Sequence, residues 1–238
     1  MIITSGVFSF KQFTIYQDKC AFKIGTDGVL LGAYADVSDT GTILDIGTGT
    51  GLVALMLAQR SNATITAIEP DFNSFKQACS NVNQSKWAAR INVINIKLQN
   101  YWNNEEKFDL IVSNPPYFVD SLKNPDPLKA SARHNVTLNS SDLLKGISLL
   151  LSERGCFQVI MPYAEGNVFI AEAQAYGFYC KDILKIKSMP TSQVRRMILA
   201  FSRNRCKPSE KFLTIEHGKR HDFTEEYIKL TKDFYLKF

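Results

Sequence analysis

Residues 42–60 read TILDIGTGTGLVALMLAQR, and this stretch decides the fold. TILDI is a short apolar strand ending at Asp45, and residues 51–60 have the length and apolar face of a helix. Between them Gly47, Gly49 and Gly51 alternate with threonines. Glycines there let the backbone turn sharply and come close to a ligand, and the free N–H groups of the helix start face whatever binds above them.

The pattern continues on both sides. ATITAIE (63–69) is a second strand, and Pro70-Asp71 open a helix that runs to about residue 85. INVIN (91–95) and FDLIV (108–112) are the third and fourth strands. Asn139, Ser140 and Ser141 form an N-cap region for DLLKGISLLLSE. CFQVIM (156–161) is a fifth strand, EGNVFIAEAQAY a helix, and 178–187 with 194–202 a final pair of strands. FLTIE (212–216) and a helix from Thr224 close the chain. Upstream, FTIYQDKCAFKI (13–24) reads as two short strands around Gln17-Asp18, followed by a helix that starts at Thr26-Asp27. Alternating strands and helices predict a parallel sheet covered on both faces. Right-handed crossovers place the carboxyl ends of the parallel strands on one edge, where ligands bind in such sheets. The residues that follow strands are therefore the functional candidates.

With 238 residues and 45% apolar content, the chain fits a single domain over 1–238 with a sizeable core. We expect an N-terminal hairpin and helix extension over about 8–38, and a basic C-terminal segment over about 203–238. The start MIITSGVFSF lacks a basic stretch followed by an apolar one, and no run of 18 apolar residues exists. These features predict a cytoplasmic protein without a membrane span. The five cysteines are scattered and odd in number, which predicts reduced, mostly buried thiols. With three histidines, no metal site is expected. The net charge of +5 is uneven. From Lys181 onward there are 14 basic and 7 acidic residues, a net of +7, and such a surface suits an anionic partner such as RNA.

The loop after strand one distinguishes two classes of nucleoside binder. Dinucleotide enzymes need GxGxxG, but here the third glycine comes one residue early and position 52 is Leu. An acid followed by GxGxG resembles motif I of the S-adenosylmethionine methyltransferases, with Asp45, Gly47, Gly49 and Gly51 at the cofactor. Glu69, at the end of strand two, can accept both hydroxyls of a ribose. Many members of that superfamily carry an acid after strand three for the cofactor adenine; Lys97 stands there, which leaves Leu98 or Gln99 to cover the ring.

After strand four stands Ser113-Asn114-Pro115-Pro116-Tyr117. It resembles the NPPY motif of methyltransferases that act on planar amino nitrogens. Such a nitrogen is a poor nucleophile because its lone pair is delocalised. The Asn114 side-chain oxygen and the Pro115 carbonyl can accept its two N–H bonds, and proline stiffness fixes their direction. The acceptors would also stabilise positive charge growing on the nitrogen. Tyr117 offers a face for the target base, and Phe118 can extend it.

Beyond these motifs, Lys23-Ile24-Gly25-Thr26-Asp27-Gly28-Val29-Leu30-Leu31-Gly32-Ala33, the extended motif Asn114–Phe118, and Ala132-Arg133-His134 resemble the bacterial tRNA(Val) adenine-N6-methyltransferase family over residues 8–238. The resemblance implies an α/β fold with a Rossmann-like, seven-stranded methyltransferase sheet, mostly parallel with a terminal antiparallel strand, and helices on both faces. It implies S-adenosylmethionine as cofactor and an adenine just 3′ of the anticodon of a valine tRNA as target. We expect the protein to be a monomer. It also implies that Asp27 helps enclose the cofactor, although local chemistry equally allows it to cap the following helix. Arg133, His134, Arg195 and Arg196 would contact RNA, with Arg203 and Arg205 as further candidates. The rival of the same chemistry is glutamine N5-methylation of a release factor. That class carries a helical domain before the catalytic core, whereas only about 40 residues precede strand one here. An NAD oxidoreductase leaves Asn114 to Tyr117 without a purpose, and a non-catalytic RNA-binding domain leaves Asn114 unexplained.

Overall fold

The computed structural model describes residues 6–20, 23–103, 105–115 and 138–238; Tyr117, Phe118, Arg133 and His134 lie outside them. The stretch that opens the sequence reading forms β3 (Thr42–Ile46) and α2 (Leu52–Arg60). Around this unit stand β4 (Thr64–Ile68), α3 (Phe72–Asn83), β5 (Ile91–Ile94), α4 (Leu98–Tyr101) and β6 (Phe108–Ser113). The second half holds α5 (Ser140–Leu150), β7 (Leu151–Pro162), α6 (Tyr163–Ala175), β8 (Tyr179–Lys187), β9 (Arg196–Ser202), β10 (Ser209–Thr214) and α7 (Glu225–Thr231).

One sheet has the order β10-β8-β9-β7-β6-β3-β4-β5. Strands β5, β4, β3, β6 and β7 run parallel, as their doubly buried apolar residues predict. The antiparallel strand is β9, inserted between β7 and β8. Among the described residues the sheet has eight strands rather than seven, because β10 adds in parallel to β8 at the edge. Helices α1 (Thr26–Tyr34), α2 and α3 bury one face of the sheet, and α4, α5 and α6 the other. Of the five cysteines only Cys180 is buried, and Cys206 is exposed, so the thiols are less buried than their chemistry suggested.

The N-terminal hairpin departs from the sequence reading. Its strands are β1 (Val7–Ser9) and β2 (Thr14–Tyr16), with the turn at Phe10–Phe13 rather than at Gln17-Asp18. Gln17 is buried, and its side-chain oxygen accepts the Ile24 N–H at 2.7 Å. The turn is set from far away in sequence. Phe10 stacks between Phe13 and Tyr235, the Lys11 N–H donates to Phe234 O at 2.8 Å, and Lys11 Nζ donates to Lys232 O and Phe238 O. Burial of Phe10 against Tyr235 and of Phe13 against Phe10 and Trp87 outweighs the turn preference of Gln-Asp.

Candidate active site

The strand register brings the functional candidates to one edge. Ile46 pairs with both Ile68 and Ser113, and Ile68 with Ile94. Gly47, Glu69, Asn95 and Asn114 are therefore the first residues beyond four neighbouring strands. Adjacent strands lie about 4.8 Å apart, so the glycine loop and Asn114 start from neighbouring positions.

The loop is held from below. The N–H groups of Gly47 and Thr48 both donate to Ile68 O, at 2.9 and 3.1 Å. Gly47, Gly49 and Gly51 have φ of +73°, +58° and +83°, which side-chain-bearing residues adopt only under strain. A Cβ on Gly47 or Gly49 would meet nothing within 4 Å, so open space lies above these two residues. Asp45 is buried under the loop, and its Oδ2 accepts the Thr48 hydroxyl at 2.6 Å. Burial pushes the Asp45 carboxyl up to about 7, against the lowering effect of the Thr48 hydroxyl and the Ala54 N–H; the Glu69 charge adds to the rise.

Glu69 borders the same space. Its Oε2 accepts the Gly49 N–H at 2.8 Å and its Oε1 the Asp71 N–H at 3.0 Å. Burial raises this carboxyl too, and the two N–H groups lower it. Each carboxylate oxygen keeps a second lone pair for a ligand hydroxyl. The open glycine cradle beside this carboxylate fits the ribose and methionine parts of S-adenosylmethionine.

Asn114 is half-buried and Pro115 buried. The preceding Ser113 is locked by its hydroxyl, which donates to Ile46 O at 2.9 Å. A Cβ on Gly28 would stand 3.1 Å from Leu52 Cδ2 and 3.8 Å from Asn114 Nδ2. The start of α1, the start of α2 and the Asn114 carboxamide therefore meet at one point. Asp27 does not cap α1, which has Gly25 at its N-cap and no side-chain cap. Instead Asp27 Oδ2 accepts Arg196 Nε at 2.9 Å, tying α1 to the start of β9. Arg196, expected on RNA, thus has its guanidinium engaged inside the protein, whereas Arg195 is exposed. Arg203 donates to Ser148 O at 2.9 Å and covers the Phe178 ring at 4.9 Å, so it is a packing residue. Arg205 lies over Tyr179 at 5.2 Å. Leu98 is buried in the core against Gly146, and Gln99 donates to Asp142 Oδ2 at 2.9 Å. Lys97 is the N-cap residue of α4.

Asn81 escaped the sequence reading. It is 1% exposed, and its carboxamide joins three elements. Nδ2 donates to Tyr16 O and Thr50 O, and Oδ1 accepts the Tyr16 N–H, all at 2.9 Å. Ser74, Gln77 and Asn81 are polar residues on the buried face of α3, at the spacing that usually carries apolar side chains. That mismatch is the signal that could have found it. Asn81→Leu leaves the Tyr16 and Thr50 groups without partners, and we expect a loss of about 3 kcal/mol in stability together with weaker cofactor binding. Thermal unfolding with and without S-adenosylmethionine checks this.

Among the described residues, no group of three or more His, Cys, Asp or Glu could hold a metal ion, and no helix is long and apolar enough to cross a membrane.

A glycine cradle, a strand-end carboxylate and an Asn-Pro pair directly after β6, all on the carboxyl edge of this sheet, define an S-adenosylmethionine-dependent methyltransferase. In agreement, residues 5–137 match the methyltransferase small domain. A predicted O-methyltransferase from Agrobacterium tumefaciens shares the fold with a TM-score of 0.65 at 20% identity, over 87% of this chain and 96% of that one. Pyrococcus horikoshii TYW2 in complex with MeSAdo does so with 0.57 at 17% identity, over 83% and 71%. A protein of Bacteroides fragilis named tRNA1(Val) (adenine(37)-N6)-methyltransferase is 48% identical over 234 residues, 97% of this chain and 98% of the relative. The chain belongs to the family of these tRNA1(Val) (adenine(37)-N6)-methyltransferases.

Asp45 is expected to make cofactor binding depend on pH. Its raised pKa means that its contribution to the stability of the free protein is complete below the ordinary carboxylate range and is lost as pH rises through about 7. A cationic ligand favours the ionised form. Affinity for S-adenosylmethionine should therefore rise with pH up to about 7, by at most about tenfold per pH unit, with a proton released on binding at pH 6. Calorimetry in two buffers of different ionisation enthalpy measures that proton, and Asp45→Asn should abolish its release.

Proposed function

We propose that this protein transfers a methyl group from S-adenosylmethionine to the exocyclic N6 of an adenine in tRNA, the adenine at position 37 of a valine tRNA named in its relatives. The observation that carries the reading is the register that sets Asn114 beside the glycine loop, with Gly28 packed against Asn114 and the start of α2.

Gly47, Gly49 and Gly51 bring the backbone up to the cofactor, Asp45 and Thr48 hold the loop from below, and Glu69 accepts the ribose hydroxyls. Leu98 flanks the adenine pocket, and Asp27, fixed by Arg196, closes the side formed by α1. When bound, the cofactor supplies an electrophilic methyl group on a sulfonium. Asn114 Oδ1 and the Pro115 carbonyl accept the two N–H bonds of the target amine, which aims its lone pair at that methyl. The same acceptors stabilise the charge that develops on nitrogen. Tyr117 and Phe118 stack on the extruded base, and Arg133, His134 and Arg195 hold the RNA around it. An adenine in a loop suits this site, because unstacking there is less costly than in a duplex. In this reading the enzyme acts as a monomer in the cytoplasm, as one domain whose hairpin and basic segment are extensions of it.

Incubation with labelled S-adenosylmethionine and total tRNA from a strain lacking this gene, followed by nucleoside mass spectrometry, tests the reading. N6-methyladenosine in a valine tRNA is the expected product; label in protein glutamine or no label in tRNA would sink it.

A further inference from the structure

Phe212 stands on β10, the strand added beyond the seven that the family resemblance implies. It is 62% exposed, although β10 is the sheet's edge and an exposed apolar edge invites unwanted pairing. Its neighbours are cationic. Lys185 lies directly opposite in register with Nζ 5.7 Å from the ring centroid, and Lys187, two pairs along on the same face, stands at 6.0 Å. Glu210 pairs with Lys185 at 2.5 Å, which leaves Lys187 and the exposed Arg195 to give the patch its positive charge.

The patch continues toward the catalytic edge. Tyr163 is 38% exposed, its N–H donates to Arg195 O at 3.1 Å, and its hydroxyl lies close enough to Lys185 to act on the lysine's charge. Tyr163 follows β7, which pairs with the strand that leads into Asn114. The loop at residues 217–222, with exposed Lys219 and Arg220, is fastened to the same rim by the Glu216 N–H, which donates to Ser188 O at 2.9 Å. Four strand spacings separate β10 from β6, about 19 Å, so an RNA loop seated at Asn114 reaches Phe212.

We propose that the open face of β8 and β10 is a second RNA-contact surface, on which Phe212 stacks one base of the tRNA while Lys187 and Arg195 bind the flanking phosphates. This rests on the tRNA reading of the active site. A protein interior would bury this ring, and lysine stems alone would shield it; a ring that stays exposed between cations has the chemistry of a stacking platform for single-stranded nucleic acid.

Fluorescence anisotropy with a fluorescein-labelled valine tRNA transcript tests it, alongside methylation of the same transcript. Phe212→Ala should weaken binding about 5- to 100-fold without changing the salt dependence, because stacking releases no counterions. Phe212→Trp should restore binding. Lys187→Ala should lower the slope of log K against log salt by about 0.7–0.9. Cofactor affinity should be unchanged in all three. Unchanged tRNA affinity in Phe212→Ala, or a wild-type protein that does not bind tRNA, overturns the proposal. So does a change of mass in sedimentation without a change in RNA affinity, which would make β10 a self-association edge. If the wild type binds through Phe212 but methylates no tRNA, the proposed reaction fails and the surface stands. If it methylates tRNA and Phe212→Ala binds normally, the reverse holds.

Discussion

Asn114→Ala will lower kcat by about 10²- to 10³-fold while leaving the Kd for S-adenosylmethionine unchanged. The magnitude is that of removing one preorganised group that meets charge developing in the transition state. The split between kcat and cofactor affinity follows from where the residue sits. Asn114 approaches the site from β6, anchored through the Ser113 hydroxyl on Ile46 O. The cofactor cradle is built separately by β3, β4 and the glycine loop. The lost interaction belongs to the target amine and strengthens only as the nitrogen gains positive charge, so it acts on kcat. Asn114→Asp keeps an acceptor oxygen and should retain more activity than the alanine variant. Single-turnover kinetics with saturating cofactor and tRNA make the measurement. Turnover by Asn114→Ala within a few-fold of the unaltered protein would remove Asn114 from the mechanism.

Glu69→Gln should do the opposite and weaken cofactor binding by about 10²-fold, with a much smaller change in kcat at saturation. The carboxylate already accepts the Gly49 and Asp71 N–H groups, one on each oxygen. An amide has one oxygen and one NH2, so one of those two N–H groups would face a donor. The loop carrying Gly49 would shift, and one ribose hydroxyl would lose its charged acceptor. Hydrogen bonds to charged groups contribute about 1.5–3 kcal/mol each, which sets the size of the loss. Calorimetric titration with S-adenosylmethionine reads it directly; an unaltered Kd would show that the ribose lies elsewhere.

Much of this site is legible in the sequence because its signals are local. Three glycines within five residues take positive φ, a carboxylate ends one apolar strand, and an asparagine follows another. Each places a chemical group at a strand end, and parallel connectivity gathers the strand ends on one edge. For Asn81 the polar spacing on α3 was the one signal, and its role became visible only with its partners on β2 and the glycine loop in place. The pairing of Arg196 with Asp27 was not legible for the same reason. The two lie 169 residues apart, and charge alone favours solvent or phosphate.

The sequence by itself determined the strand and helix alternation, the glycine cradle and the place of Asn114 directly after β6, since hydrophobic period and backbone restriction act between near neighbours. Only the tertiary structure decided the hairpin turn at Phe10–Phe13, the place of β9 between β7 and β8, and the exposure of Phe212 on an eighth strand. Each depends on which distant surface is available for burial or pairing, and that choice is made by the whole packed core rather than by any short stretch of chain.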